Sequence, residues 1–328
     1  MDKEIEKLSN EAKELGKTID SLEKEARKII VGQDYAVKRL LMGLLCNAHI
    51  LLEGVPGLAK TLMVHTLADI THCSFRRIQF TPDLLPADIT GTKIYNQKTA
   101  TFTTKEGPIF ANFILADEIN RAPPKVQSAL LEAMQERQVS ISGDTLKLPK
   151  PFLVLATQNP IETEGTYPLP EAQLDRFMFK VIVKHPSRKE EIEIMNRMTT
   201  GEELKVDSIL SPMEILEFQK FTHRIYVDDK IKNYVADLIF ATREQSEKFP
   251  DLENLITYGA SPRASIYLIH GAKANALLDG RGYVVPDDIK EIAYDVLRHR
   301  LILSYEAEAE EITVEDIIKR ILEETETP

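Results

Sequence analysis

The sequence predicts an α/β fold, a parallel five-stranded sheet between helices, followed by a smaller all-helical domain. Three observations predict it. A short apolar run, Ile50-Leu51-Leu52-Glu53, leads into a Gly/Pro loop and then a helical pattern opened by Lys60-Thr61. Two more apolar runs, Phe113–Glu118 and Phe152–Asn159, end in polar residues, as fully buried parallel strands do. Beyond His185-Pro186 the strand signals fade and helix-period segments continue to the C-terminus.

Taken in order, Ile5, Leu8, Ala12, Leu15, Ile19, Leu22, Ala26 and Ile29 recur at spacings of three and four on a charged background. They put an apolar stripe on a helical extension over residues 1–28. Gly16, with Thr18 and Asp20 as N-cap candidates ahead of Glu23, predicts a break into two helices. The register lasts under four heptads, so the stripe reads as packing on the protein's own core rather than a coiled coil. Val31-Gly32-Gln33-Asp34 introduces an amphipathic helix reaching about Asn47, and the Ile50 strand and its helix follow. Arg76–Phe80 reads as a second strand and Leu84–Ile89 as a short helix or turn. Thr, Ile, Tyr and Phe around Asn96-Gln97 predict a hairpin over residues 91–107.

The Phe113 strand ends on Asp117-Glu118, and Pro124–Gln135 is a helix with Val126, Leu130, Leu131 and Met134 inward. Val139–Ser142 and Thr145–Leu148 predict a second hairpin within residues 138–149, turning at Gly143-Asp144. Alternation in Phe177-Phe179-Val181-Val183 closes the sheet. The change of character divides the chain into an α/β domain over 29–185 and a helical one over 186–328. Pro286-Asp287-Asp288 and Thr313 mark helix starts in the latter.

Composition narrows the function. The chain has 328 residues, 43% hydrophobic and 28% charged, enough for two domains with cores of their own. A formal charge of −11 argues against a general nucleic-acid binder, whose footprint is basic. Cys46 and Cys73 form no CxxC, so neither a metal knuckle nor a disulfide framework is indicated. The N-terminus is charged, without an apolar signal core, and Leu40–Leu52 is broken by Asn47 and His49 and too short to span a bilayer. A cytoplasmic protein is expected.

The loop after Glu53 carries the chemistry. Gly54-Val55-Pro56-Gly57-Leu58-Ala59-Lys60-Thr61-Leu62 has P-loop form between strand and helix. Loop N–H groups and the positive end of the helix suit the phosphates of a nucleotide. Lys60 would reach the β/γ-phosphates and the Thr61 hydroxyl would sit on Mg²⁺. Ala59 stands where the general motif has glycine; its Cβ requires a negative φ there. Since ligands of parallel sheets bind at the carboxyl ends of the strands, Asp117, Glu118 and Asn159 converge on the same place. Asp117 suits Mg²⁺, Glu118 a general base for the attacking water, and Asn159 orientation of that water or contact with the γ-phosphate. Phosphoryl transfer also uses an arginine at the γ-phosphate. Arg176, just before the last strand and expected to face a neighbouring subunit, and Arg263, at a helix start in the second domain, are the candidates.

These motifs together resemble the AAA+ ATPases, and within them the MoxR family, from about Ile29 to Leu322. Carrying the resemblance are Val31-Gly32-Gln33, the Ala59 form of the P-loop, Asp117-Glu118-Ile119-Asn120-Arg121-Ala122, Ala156-Thr157-Gln158-Asn159-Pro160, Leu174-Asp175-Arg176-Phe177 and Ala260-Ser261-Pro262-Arg263. The resemblance implies an AAA+ P-loop core and a helical lid, ATP and Mg²⁺ as cofactors, and Val31-Gly32 against the adenine. It implies Asp117-Glu118 as Walker B, Asn159 as sensor 1, Arg176 as arginine finger and Arg263 as sensor 2. Gln79 becomes the polar residue that restrains Glu118. Residues 91–107 become the helix-2 insert and 138–149 the pre-sensor-1 hairpin, both facing the pore or axial surface of a ring.

MoxR-type proteins are chaperone-like ATPases. The resemblance therefore implies a homo-oligomeric ring, usually a hexamer, and a protein client, with a von Willebrand A domain partner and metal or cofactor insertion among the expected contexts. Two other readings share the motifs: a nucleic-acid motor or loader, and the motor subunit of a magnesium-chelatase-like complex. For the motor, the inserts offer only Lys93, Lys98, Lys105, Lys147 and Lys150 against an acidic whole. A scaffold without hydrolysis is disfavoured because every hydrolytic residue is present.

Overall fold

The structure, a computed structural model, describes the chain except residues 1, 162–164, 202–203, 244–248, 250–251 and 253. It forms two compact units. One comprises Ser21–Arg176 and Val181–Glu217, the other Met1–Asp20, Phe177–Lys180 and Phe218–Pro328.

The chain opens with α1 (Asp2–Ala26), a single helix of 25 residues. The expected break at Gly16 is absent. A Cβ at Gly16 would lie 3.3 Å from Gly280 Cα, so this glycine permits close backbone approach rather than ending a helix. In the first unit come α2 (Asp34–Leu45), β1 (Ile50–Glu53), α3 (Lys60–Ile70), β2 (Phe75–Gln79) and α4 (Pro86–Thr90). Then follow β3 (Gly91–Asn96), β4 (Thr101–Glu106), β5 (Phe113–Asp117), α5 (Pro124–Glu136), β6 (Gln138–Ile141) and β7 (Asp144–Lys147). Next are β8 (Leu153–Gln158), α6 (Glu171–Leu174), β9 (Phe179–Ile182), whose first two residues are grouped with the other unit, and α7 (Arg188–Met198).

The sheet runs β2-β5-β8-β1-β9. Its β2–β5, β5–β8 and β8–β1 pairs are parallel. Ile50, Leu51, Leu52, Phe113–Ala116 and Leu153–Ala156 are buried along the three central strands, which explains their unbroken apolar character. Each such aliphatic side chain contributes about 1.5–3 kcal/mol by leaving water. His49, just ahead of β1, is buried between them: Val154 N–H donates to its Nδ1 at 2.9 Å and Nε2 contacts Met134 O at 3.1 Å. α7 lies in the same unit as the sheet, its Arg197 donating to the carbonyls of Arg27 and Lys28.

Two hairpins leave this unit. β3 and β4 pair from Gly91↔Glu106 to Asn96↔Thr101, setting exposed Tyr95 opposite exposed Phe102 with ring centroids 5.2 Å apart. β6 and β7 close at Ile141↔Asp144, so the two-residue turn is Ser142-Gly143, one position earlier than the sequence suggests. Both residues have positive φ (49° and 92°), the primed type I turn that matches strand twist. Lys93 bridges the hairpins through an ion pair with Asp144 at 2.8 Å.

In the second unit, α8 (Pro212–Arg224), whose first half lies in the sheet unit, leads to α9 (Asp229–Ala241), β10 (Ile256–Tyr258), α10 (Pro262–Leu278) and α11 (Pro286–Leu297). There follow β11 (Ile302–Leu303), α12 (Tyr305–Ala309) and α13 (Val314–Glu324). Leu268, Leu277, Ile289, Ile292, Val296, Ile317 and Ile321 form its buried interior. Pro286 and Thr313 start α11 and α13 as their sequence indicates, Thr313 accepting from Asp316 N. Inside, Arg281 grips buried Asp288 through both terminal guanidinium nitrogens, at 2.6 and 2.8 Å. Arg298, His299 and Arg300 hold the backbone of Phe177–Lys180, with His299 Nε2 3.0 Å from Phe177 O. Among the described residues no helix is long and apolar enough to cross a membrane.

Candidate nucleotide site

The strand order places the carboxyl ends of β1, β8 and β5 side by side. Glu53 is in register with Gln158, and on the far side Gln79 with Asp117. Gly54 begins the P-loop, its N–H donating to Gln158 O at 3.2 Å. A Cβ on Gly54 would come within 2.9 Å of Val183 O, which is why the position is glycine. Val55 is half-buried, Pro56 and Gly57 are exposed, and Leu58 is buried beneath the loop.

Gly57 (φ 86°) and Ala59 (φ 56°) both lie in the left-handed region. The negative φ that the sequence reading required of Ala59 is therefore not adopted. The loop's curvature imposes the glycine-like conformation on an alanine, a strain of about 1–2 kcal/mol held by the surrounding structure. Ala59 is the N-cap of α3 and has no side-chain oxygen, so it contributes no cap to the N–H groups of the first turn. Thr61 is exposed on that turn and Leu62 half-exposed behind it. Lys60 Nζ donates to Gly54 O at 2.5 Å. Burial lowers the Lys60 pKa, while the nearby carboxylates of Asp117 and Glu118 oppose that shift.

Across the strands the two carboxylates are separately held. Asp117 Oδ1 accepts the Thr157 hydroxyl at 2.6 Å, and Thr157 Oγ1 accepts the Glu118 N–H at 2.8 Å. Glu118 has φ 56°, a left-handed step that ends the strand. Its Oε2 accepts from Gln79 Nε2 at 2.8 Å and pairs with Arg121 at 3.2 Å. Asp117 Oδ2 is paired with Arg77 at 2.5 Å. Asn159 is buried, its Oδ1 accepting Ile161 N–H at 3.2 Å.

The sequence alone assigns no role to Thr157, Arg77 or Arg121, although Thr157 falls at the polar tip of its strand. Arg77 carried no signal of its own: β2 is the edge strand of the sheet, and Arg76 and Arg77 are both exposed on it as on an ordinary solvated strand. Val31 and Gly32 are half-buried in the same unit; Gly32 (φ 74°) lies where a Cβ would meet the Glu190 carboxyl carbon at 2.8 Å. Arg176 is half-buried and donates to Leu131 O at 2.9 Å, rather than standing free on the surface. Arg263 is exposed on the first turn of α10, in the other unit, where Ser261 caps the helix.

The residues fit a magnesium nucleotide. Alternate strain and openness in Gly57-Leu58-Ala59 present backbone N–H groups and a helix N-terminus to an anion, with one lysine beside them. Asp117 and Thr61 offer hard oxygen ligands of the kind that Mg²⁺ takes one or two at a time beside phosphate oxygens.

A P-loop feeding this strand order, with two adjacent carboxylates at the end of β5 and a helical unit after the sheet, defines the AAA class of P-loop ATPases. The model of the ATPase family associated with various cellular activities (AAA) matches residues 49–179, and that of the AAA lid domain matches 251–321. The chain is similar to the chaperone MoxR1 of Mycobacterium tuberculosis, 54% identical over 93% of this chain and 81% of that protein. It is 43% identical to YeaC of Bacillus subtilis, over 96% and 95% of the two chains. A crystal structure from Cytophaga hutchinsonii, described as a candidate ATPase, superposes with a TM-score of 0.92 at 50% identity, covering 99% of this chain and 98% of that one. The chain belongs to the MoxR family of AAA+ ATPases.

Proposed function

We propose that this protein couples Mg²⁺-dependent ATP hydrolysis to chaperone-like remodelling or maturation of partner proteins, metal or cofactor insertion included. The observation that supports this reading is the grouping of Lys60, Asp117 and Glu118 around one uncapped helix N-terminus. Lys60 and the loop N–H groups hold the triphosphate, Val31-Gly32 the adenine, and Thr61 with Asp117 the cation. Bound Mg²⁺ supplies charge neutralisation at the β- and γ-phosphate oxygens. Glu118 accepts the proton of the attacking water, Asn159 orients that water, and Gln79 restrains Glu118 between turnovers.

The remaining parts act between subunits and domains. In a head-to-tail ring, taken as a hexamer in the cytoplasm, Arg176 serves the neighbouring subunit's nucleotide. Arg263 couples the helical lid to the γ-phosphate. The two hairpins, joined through Lys93 and Asp144 and carrying exposed Tyr95 and Phe102, meet a protein client, itself accompanied by a von Willebrand A domain partner. The same ion pair disfavours a nucleic-acid motor, since it neutralises one of few insert lysines. The magnesium-chelatase-like reading differs only in its partner.

Two measurements test the proposal. Arg176→Ala and Lys60→Ala subunits, each inactive alone, should regain ATPase activity on mixing; no recovery argues against action in trans. Affinity capture with a Glu118→Gln trap in ATP should retain a protein partner. Retention of nucleic acid instead, with salt-sensitive stimulation of turnover, would transfer the function to the motor reading.

A further inference from the structure

We propose that Arg77 competes with the divalent cation for Asp117 and thereby sets the cation affinity of the site. The inference rests on the nucleotide-site reading above. Arg77 Nε and Nη2 both reach Asp117 Oδ2, at 3.0 and 2.5 Å. The opposite carboxylate oxygen is taken by Thr157, so each oxygen of Asp117 already has a donor. The two donors differ in kind. Thr157 is buried and neutral, and orients the carboxylate. Arg77 is a cation with about half its side chain exposed (48%), so it can swing away without unfolding anything.

A guanidinium and Mg²⁺ cannot share one carboxylate oxygen without strong repulsion, because both carry positive charge within a few ångströms. Binding of the cation must therefore displace Arg77, and the lost ion pair is subtracted from the cation's affinity. The cost is bounded by the exposure of Arg77, since half-exposed pairs are weak.

The same guanidinium has a second partner. Arg77 Nη2 donates to Gln79 Oε1 at 2.5 Å, and Gln79 Nε2 donates to Glu118 Oε2. Arg77 and Gln79 are two apart on β2 and so share a face of the strand. Displacing Arg77 from Asp117 thus also removes one of the contacts that orient the Gln79 amide toward Glu118. Arrival of the cation at one carboxylate is in this way reported to the other.

The test is Mn²⁺ binding, followed by electron paramagnetic resonance, to the full chain with a non-hydrolysable ATP analogue. Arg77→Ala should bind Mn²⁺ roughly 2- to 5-fold more tightly than wild type, the upper end set by the worth of a half-exposed pair. Arg77→Lys, which keeps the charge but loses the fork, should fall between them. Arg76→Ala makes the same charge change from the other face of β2 and should leave the affinity within about twofold, a bound set by screening of exposed charges. Asp117→Asn should weaken Mn²⁺ in every background.

If Asp117→Asn weakens Mn²⁺ binding while Arg77→Ala leaves it unchanged or weaker, the competition is refuted and the site reading stands. If Arg76→Ala tightens binding as much as Arg77→Ala, net charge rather than the Asp117 contact is responsible, and the competition is again refuted. If Asp117→Asn has no effect, the site reading fails and the competition with it.

Discussion

The Thr157 hydroxyl donates to Asp117 Oδ1 at 2.6 Å while accepting the N–H of Glu118. One buried side chain on β8 therefore orients both Asp117 and Glu118 at the end of β5. Thr157→Val keeps the shape and removes both bonds, leaving a buried N–H and a carboxylate oxygen short of a donor. Stability should fall by about 1–3 kcal/mol, read from denaturant midpoints, with ATP turnover falling as well. Thr157→Ser should retain both. A Val variant with wild-type stability and turnover would show that the hydroxyl is dispensable.

Gln79 donates to Glu118 Oε2 at 2.8 Å. Hydrogen bonds to charged groups are worth about 1.5–3 kcal/mol, but Arg121 shares the same oxygen. Gln79→Ala should therefore raise client-free ATP turnover only several-fold, measured as phosphate release. A decrease would mean that Gln79 positions Glu118 for catalysis instead of restraining it.

Much of this site was legible beforehand, for a physical reason. Lys60, Asp117, Glu118 and Asn159 sit at fixed offsets from buried apolar strands, and strand ends in a parallel sheet are obliged to meet. Ala59 and Gly16 were misread because each depends on surroundings that the sequence does not display. The loop forces Ala59 into a left-handed conformation, and Gly16 is small for Gly280 rather than flexible for a break. Register also escaped: the Ser142-Gly143 turn became apparent only through Ile141↔Asp144 pairing. Arg77 was invisible as a site residue because its partner lies 40 positions away on the next strand.

Burial, reinforced by the positive charge of Arg137, pushes the His49 pKa well below the ordinary histidine value. Its Nδ1 accepts the Val154 N–H, a bond that exists only when this nitrogen is unprotonated. The folded pKa lies below the unfolded one, so the unfolded chain binds the extra proton. Stability is complete above about pH 6.5 and is lost as pH falls below it, by up to about 1.4 kcal/mol per pH unit. His299 is shifted in the same direction by its burial and adds to the loss. Denaturant midpoints at pH 7.5, 6.5 and 5.5 should decline for wild type and decline less for His49→Gln. Parallel profiles would contradict the assignment.

Asp288 is only 1% exposed and is held by both terminal nitrogens of Arg281. Removing one partner of such a pair strands a buried charge. Arg281→Ala should cost about 3 kcal/mol, moderated by the amide of Asn275, which also donates to Asp288. Loss should be visible as a lower melting temperature. An unchanged melting temperature would show that the pair contributes nothing to the helical unit.

The most direct test of the central claim is ATP turnover by Glu118→Gln, measured beside wild type with analogue binding verified in both. Wild type is expected to hydrolyse ATP, and the variant to bind it equally while turnover falls at least ~100-fold, the contribution of a positioned general base. Turnover by the variant within twofold of wild type, with binding intact, would contradict the account.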